Sequence, residues 1–124
     1  MEVPDSPNDG CNDTQALKAE GQQIIKHLNR LQAADTHICA LCINAKVLSS
    51  EQIAHNIQNY NLNGKSHIVF VIGGSCGISA DVLDLCNSQL SFGKITLPHN
   101  LARVVLLEQI YRACMINEGR TYHK

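Results

Sequence analysis

The stretch HIVFVIGGSCGIS, residues 67–79, decides how this chain folds. His67 to Ile72 has no polar break after the first residue and is rich in β-branched side chains. Such a run reads as a strand buried on both faces. It stops at Gly73 and Gly74, Gly77 follows, and Ser79 can cap a helix over about 80–88 with Val82, Leu83 and Leu85 apolar. Glycines between a buried strand and a helix permit positive φ and let a ligand approach bare backbone. The spacing is not GxGxxG, and no Gly-Lys-Ser/Thr follows, so a phosphate cradle for ATP or GTP is not expected. A tight turn without a ligand and a cofactor loop that holds no phosphates both remain, and the second fits better.

Working outward, the same grammar repeats. Leu17, Ala16, Ile24, Ile25, Leu28 and Leu31 form a helical stripe over about 13–33, weakened by Gly21 and open to capping by Asn12 or Asp13. Residues 37–43 read as a short apolar strand, followed by the loop NAKVL. Ser49 and Gln52 form a capping-box pattern for a helix to about Tyr60, with Ile53, Ile57 and Tyr60 on one side. LSFGKITL, about 90–97, reads as a strand or extended loop. Pro98 then suits the first turn of a last helix to about Asn117, ended by Gly119 and followed by the tail RTYHK. The apolar arc of that helix (Leu101, Val104, Val105, Leu107, Ile110, Tyr111, Cys114 and Met115) is too wide for one face, which points to burial by a second copy. Helices alternating with buried strands predict an α/β fold, an open parallel sheet with helices on both faces. In such sheets ligands bind at the carboxyl ends of the strands, where NAK and GGSCGIS both lie.

Composition narrows the classes. The 124 residues fit one domain, 1–124, with an irregular start over 1–12. The absence of Trp argues against aromatic platforms for single-stranded nucleic acid. The net charge of -1 conceals an asymmetry: residues 94–124 carry five Lys and Arg against two Glu. That quarter can meet phosphate. The acidic, Pro-rich start does not read as a secretory signal, and no apolar run approaches the roughly 18 residues of a membrane span. A cytoplasmic chain with free thiols is expected. Cys39 and Cys42 make a CxxC inside an apolar run, without a second ligand pair for zinc and away from a helix N-terminus that would activate a thiol. They read as small core hydrophobes, and no metal is expected. Cys11, Cys86 and Cys114 are scattered, and Cys76, in the glycine loop, is the one candidate for reactivity.

FVIGGSCGIS, LSFGKITLPHNLARVVLLEQIYRA and the final YHK together resemble the RlmH family of SPOUT methyltransferases. EVPD near the start and ALCINAK extend the similarity through most of the chain. The resemblance implies a homodimer with a C-terminal trefoil knot. It also implies methylation of N3 of a pseudouridine in large-subunit (23S) rRNA within the assembled ribosome, with S-adenosyl-L-methionine as cofactor. Carried over, the cofactor would meet mainly backbone at Leu41 and its following loop, at Gly73, Gly74 and Gly77, and along Phe92, Gly93, Lys94, Ile95, Thr96, Leu97 and Pro98. His99 is then expected as base or RNA contact, and Arg103, on the same helical face, as phosphate or base clamp. Tyr122, His123 and Lys124 would close on the nucleotide.

Family members open with a strand, a helix and a second strand ahead of the EVPD position, and the expectation here is a front-truncated chain. Cys42 and Ala45 stand where the family usually has Asp and Gly. Two other functions fit the residues: a non-catalytic remnant that dimerises and binds cofactor or ribosome weakly, and a thiol or metal protein using Cys39 and Cys42.

Overall fold

The computed structural model describes residues 14–73 and 77–123, with side chains from Leu17 onward. The expected irregular start, Cys11, the capping Asn12 or Asp13, Gly74, Cys76 and Lys124 lie outside the described residues. The elements run α1 (Thr14–Leu31), β1 (Thr36–Leu41), α2 (Ser50–Leu62), β2 (His67–Ile72), α3 (Ala80–Asp84), β3 (Ser88–Leu90) and α4 (His99–Asn117). The sheet is parallel throughout, in the order β2-β1-β3.

Strand alternation divides the core in two. Ile38 and Val71 pack with Leu28 of α1 and Val82 of α3 on one face. Cys39, Leu90 and the half-buried Phe70 pack with Ile53 and Ala54 of α2 and Ala113 of α4 on the other. Helices therefore cover both faces, as the alternation of elements predicts. The surprise is which strand is central. β1 is buried from Thr36 to Ala40, whereas β2 is only half-buried and forms an edge among the described residues. Its uninterrupted apolar run reflects two covered faces, not two paired edges.

Several boundaries move from their expected places, and at Asn87 a side chain stands in for backbone. The helix after Ser79 stops at Asp84 instead of about 88. Asn87 lies against β1 there: its N–H donates to the Ile38 carbonyl at 2.7 Å and its Oδ1 accepts from the Ile38 N–H at 2.7 Å. That pairing starts β3 early, at Ser88, and Ser91 ends its ladder before the expected extended stretch. β1 ends at Leu41, after which the Cys42 N–H donates to the Leu90 carbonyl at 2.9 Å and the chain turns. Pro98 is the N-cap of α4, just before its first turn. The capping box forms as predicted: the Ser49 hydroxyl accepts from the Gln52 N–H at 3.1 Å, and Gln52 Oε1 accepts from the Ser49 N–H at 2.8 Å.

The fully buried thiol of Cys39 belongs to the core, and burial raises the proton affinity of Cys39 and Cys42 and pushes Cys86 to about 11. These are protonated thiols at neutral pH, as the core reading of the CxxC requires.

Gly21, which weakens α1 on propensity, has a packing reason. A Cβ there would lie 2.4 Å from Ser79 Oγ and 3.2 Å from Ser79 Cβ, so α1 can approach the N-cap of α3 only without a side chain. Gly21→Ala gains about 1 kcal/mol of helix propensity but displaces a cap and overpacks a closed contact, together worth about 2–3 kcal/mol. Urea unfolding of this variant is expected to show a net loss of about 1–2 kcal/mol; a stabilised variant would mean that α1 and α3 are not in close contact.

Candidate active site

The carboxyl ends of all three strands deliver loops to one edge of the sheet: residues 42–49 after β1, 73–79 after β2 and 91–98 after β3. Parallel pairing in register brings Leu41 beside Ile72 and Leu90, so the three loops leave at the same level.

The first and third loops are fastened together. Val47 and Ser91 form a bridge, and the Ser91 N–H donates to the Lys46 carbonyl at 3.2 Å. The Ser91 hydroxyl lies within 3.0 Å of the Ile43 carbonyl and 3.1 Å of the Gly93 carbonyl, and accepts from the Gly93 N–H at 3.0 Å. Gly93 turns the chain at φ 115°, a conformation that disfavours any Cβ. Beyond it the N–H groups of Lys94, Ile95, Thr96 and Leu97 take no partner among the described residues. Leu41 and Phe92 are half-buried against the core on the α2/α4 side, anchoring the roots of the two loops. Leu97 is half-buried, whereas Lys94, Ile95, Thr96 and Pro98 are exposed.

The glycines of the second loop serve the loop itself. A Cβ on Gly73 would sit 2.6 Å from the Gly77 carbonyl oxygen, so the chain folds back onto Gly73. Gly77 stands in open space but at φ 86°. Bare backbone is therefore required here before any ligand arrives. Gly74 lies outside the described residues.

His99 opens α4, half-buried, and Arg103 follows one turn later, exposed. The charged groups of Lys46, Lys94 and Arg103 form no salt bridge among the described residues. The tail is elsewhere. The Tyr122 ring meets Tyr111 edge-on at 4.9 Å and lies under the Arg112 guanidinium, with its hydroxyl donating to Glu108 at 3.3 Å. Arg112 also pairs with Glu108 at 2.7 Å. His123 is gripped at both ring nitrogens: Arg112 donates to Nδ1 at 3.0 Å, and Nε2 lies 2.6 Å from Glu51. Since guanidinium only donates, Nδ1 accepts and Nε2 carries the hydrogen offered to Glu51. The tail thus docks on α4 at Glu108–Arg112, five to nine residues past Arg103, or about 8–14 Å along the helix axis. Within one chain the structure brings His99 to Arg103 but does not bring Tyr122 and His123 to either.

Sequence reasoning counted only the backbone of Ser91, at the head of SFGKITLP, and passed over its side chain and the Glu51–Arg112–Glu108 dock of the tail. The i,i+4 spacing of Glu108 and Arg112 was a local signal for their ion pair, but the contacts of Ser91 with Ile43 and of His123 with Glu51 cross 48 and 72 positions and leave none.

The three strand-end loops thus meet at one edge of a small parallel sheet, the edge at which ligands bind in open α/β folds. The family model described as "Predicted SPOUT methyltransferase" matches residues 1–123, and the chain belongs to that family. It is 45% identical over 125 residues to the ribosomal RNA large subunit methyltransferase H of Bacillus cytotoxicus, covering all of this chain and 78% of that protein. The Lactococcus lactis protein of the same name is 46% identical, covering 98% of this chain and 74% of its own. That of Clostridium novyi is 50% identical over 105 residues.

The tail dock should be acid-labile. The hydrogen bond with His123 holds the Glu51 carboxyl below the usual glutamate range, and that with Arg112 does the same for Glu108. Lowered carboxylate values favour the docked state above the ordinary glutamate value, and the preference is lost as pH falls through the lowered ones. Tyr122 ring resonances are expected to lose their Tyr111-induced shift between about pH 5 and pH 3, before the core unfolds. A shift that survives to full unfolding would show that the two carboxylates do not hold the tail.

Proposed function

We propose that the chain uses S-adenosyl-L-methionine to methylate N3 of a pseudouridine in large-subunit rRNA within the assembled ribosome, in the cytoplasm. It does so as a single domain that homodimerises and carries the C-terminal trefoil knot its family resemblance implies. The observation that carries this reading is the convergence of three strand-end loops on one edge, in a chain of the SPOUT family whose relatives are named for large-subunit rRNA methylation.

The loop edge suits this cofactor. Free N–H groups along residues 94–97, the glycine turn at Gly93 and apolar Leu41, Ile95 and Leu97 offer an adenine edge and an uncharged chain backbone contacts and apolar cover. Bound there, S-adenosyl-L-methionine would supply an electrophilic methyl group. The chain's own residues would do the rest. Residues 41–46, 73–77 and 92–98 would hold the methyl donor in line with the nucleotide. His99 would accept the N3 proton or contact the base, and Arg103 would clamp a phosphate. Lys46 and Lys94, free of salt bridges among the described residues, add positive charge to the same rim.

Homodimerisation is supported by α4. Leu101, Val104, Leu107 and Tyr111 share one face and are 48–60% exposed, while Ala102, Leu106 and Ala113 fill the core on the other. A second copy laid across the outer face would cover that stripe. It would also allow one chain's Tyr122 and His123 to approach the other's His99 and Arg103, which a single chain keeps apart. The knot is supported by the fastening of the segment after β3 into the loop after β1.

Calorimetric titration with S-adenosyl-L-methionine is expected to give one site per chain with an affinity on the order of micromolar. Ribosomes lacking the modification should then accept labelled methyl. A folded chain that gives no heat would overturn the enzyme reading in favour of a non-catalytic remnant. His99→Gln should cut kcat by about a hundredfold or more with cofactor affinity unchanged. Arg103→Ala should raise KM for ribosomes about tenfold. Leu107→Glu should yield monomers in sedimentation; an unchanged dimer would place the interface elsewhere.

A further inference from the structure

We infer that Ser91 is a positioning residue whose hydroxyl holds the loops after β1 and β3 in the shape that binds the methyl donor. The inference rests on the proposal that these loops form the cofactor site. Ser91 is 1% exposed, one of the most deeply buried polar side chains described. It lies between the last residue of β3 and the segment 92–98, so its conformation sets the direction in which that segment departs.

Its hydroxyl has one hydrogen and two lone pairs. One lone pair takes the Gly93 N–H at 3.0 Å, which closes the turn at Gly93. The hydrogen is shared between the carbonyls of Ile43 at 3.0 Å and Gly93 at 3.1 Å. The Ile43 contact crosses 48 positions of sequence and ties the first loop to the third. Backbone contacts join the same strands and loops one and three residues from Ile43, at Cys42 with Leu90 and at Lys46 with Ser91. Neither reaches Gly93. Without the hydroxyl, the Ile43 carbonyl and the Gly93 N–H lose their partner, and the turn that presents the N–H groups of 94–97, unpartnered among the described residues, loses its brace. The bound state must then order what the free protein no longer does, which weakens binding without touching the reacting atoms.

The test compares the wild-type chain with Ser91→Ala and Ser91→Thr, the latter keeping the hydroxyl, by calorimetric titration with S-adenosyl-L-methionine and steady-state methyl transfer to unmodified ribosomes. Ser91→Ala is expected to raise both the cofactor Kd and its KM by about tenfold, with kcat at saturating cofactor within about twofold of wild type. Ser91→Thr should restore affinity to within about threefold of wild type. A merely structural role would lower kcat, through loss of folded molecules, and leave KM unmoved; that result overturns the inference. So does a Ser91→Ala chain that binds cofactor as wild type does. If Ser91→Ala fails to fold, Ser91→Cys, which keeps the volume but only a weak donor, takes its place; equal affinity of the Cys and Thr variants overturns the inference, and weaker binding by Cys supports it. A wild-type chain that gives no cofactor binding removes the cofactor-site reading and the inference together, whereas binding by wild type and Ser91→Ala alike removes the inference alone.

Discussion

The structure depends on the burial of β1 between two helix layers. Ile38 faces α1 and α3, Cys39 faces α2 and α4, and both are almost fully buried. β2 pairs with β1 along its whole length on one edge, and Asn87 and β3 pair with Ile38 to Leu41 on the other. Its polar residues are tied down too. His37 stacks on Tyr60 of α2 at 3.7 Å and shares a hydrogen with Ser88 of β3 at 2.8 Å, and burial lowers its proton affinity. Thr36 donates to the Leu31 carbonyl at the end of α1. One strand thus locates two helices and both neighbouring strands, and the carboxyl ends of all three strands follow from it.

The candidate site sits where the sheet runs out of regular pairing. Past Leu41 and Leu90 the ladder is continued by single contacts: Cys42 to Leu90, Lys46 to Ser91, and the Ser91 hydroxyl to Ile43. The third loop is held at its root by Ser91, and the N–H groups of residues 94–97 beyond it take no partner among the described residues. In the proposed site, such backbone groups would serve a neutral heterocycle without requiring charged side chains. α4 gives the same economy at a larger scale: one face closes the core, another lies open, and the tail folds back upon it.

Much of this was legible from local pattern. The capping box of Ser49 and Gln52, the cap at Ser79 and the strand 67–72 all form where the residues place them, because each involves neighbours within three or four positions or a simple period. The wide apolar arc of the last helix likewise appears as two separate faces. The strand–helix–strand junction of Asn87 and Ser91 was not legible. Asn87 imitates a strand partner with its side chain, and Ser91 ends a ladder with its own, so the third strand begins earlier and ends sooner than its apolar letters suggest. Gly73 and Gly77 could be read as glycines a ligand needs; their geometry shows that the loop needs them first.

By itself the sequence determined the order of elements, the parallel α/β class, the free thiols of the described cysteines and, by resemblance, the family. Those properties rest on periodicity, capping and burial, which short windows of chain express. Only the tertiary structure decided that β1 and not β2 is central, that Ser91 clasps two loops, and that the tail docks on Glu51 and Arg112 away from His99 and Arg103. The contacts that decide them, β1 with β2, Ser91 with Ile43 and His123 with Glu51, span 31, 48 and 72 positions. Contacts over such separations leave no repeating signature in the residues between them, so they exist as information only once the chain has closed on itself.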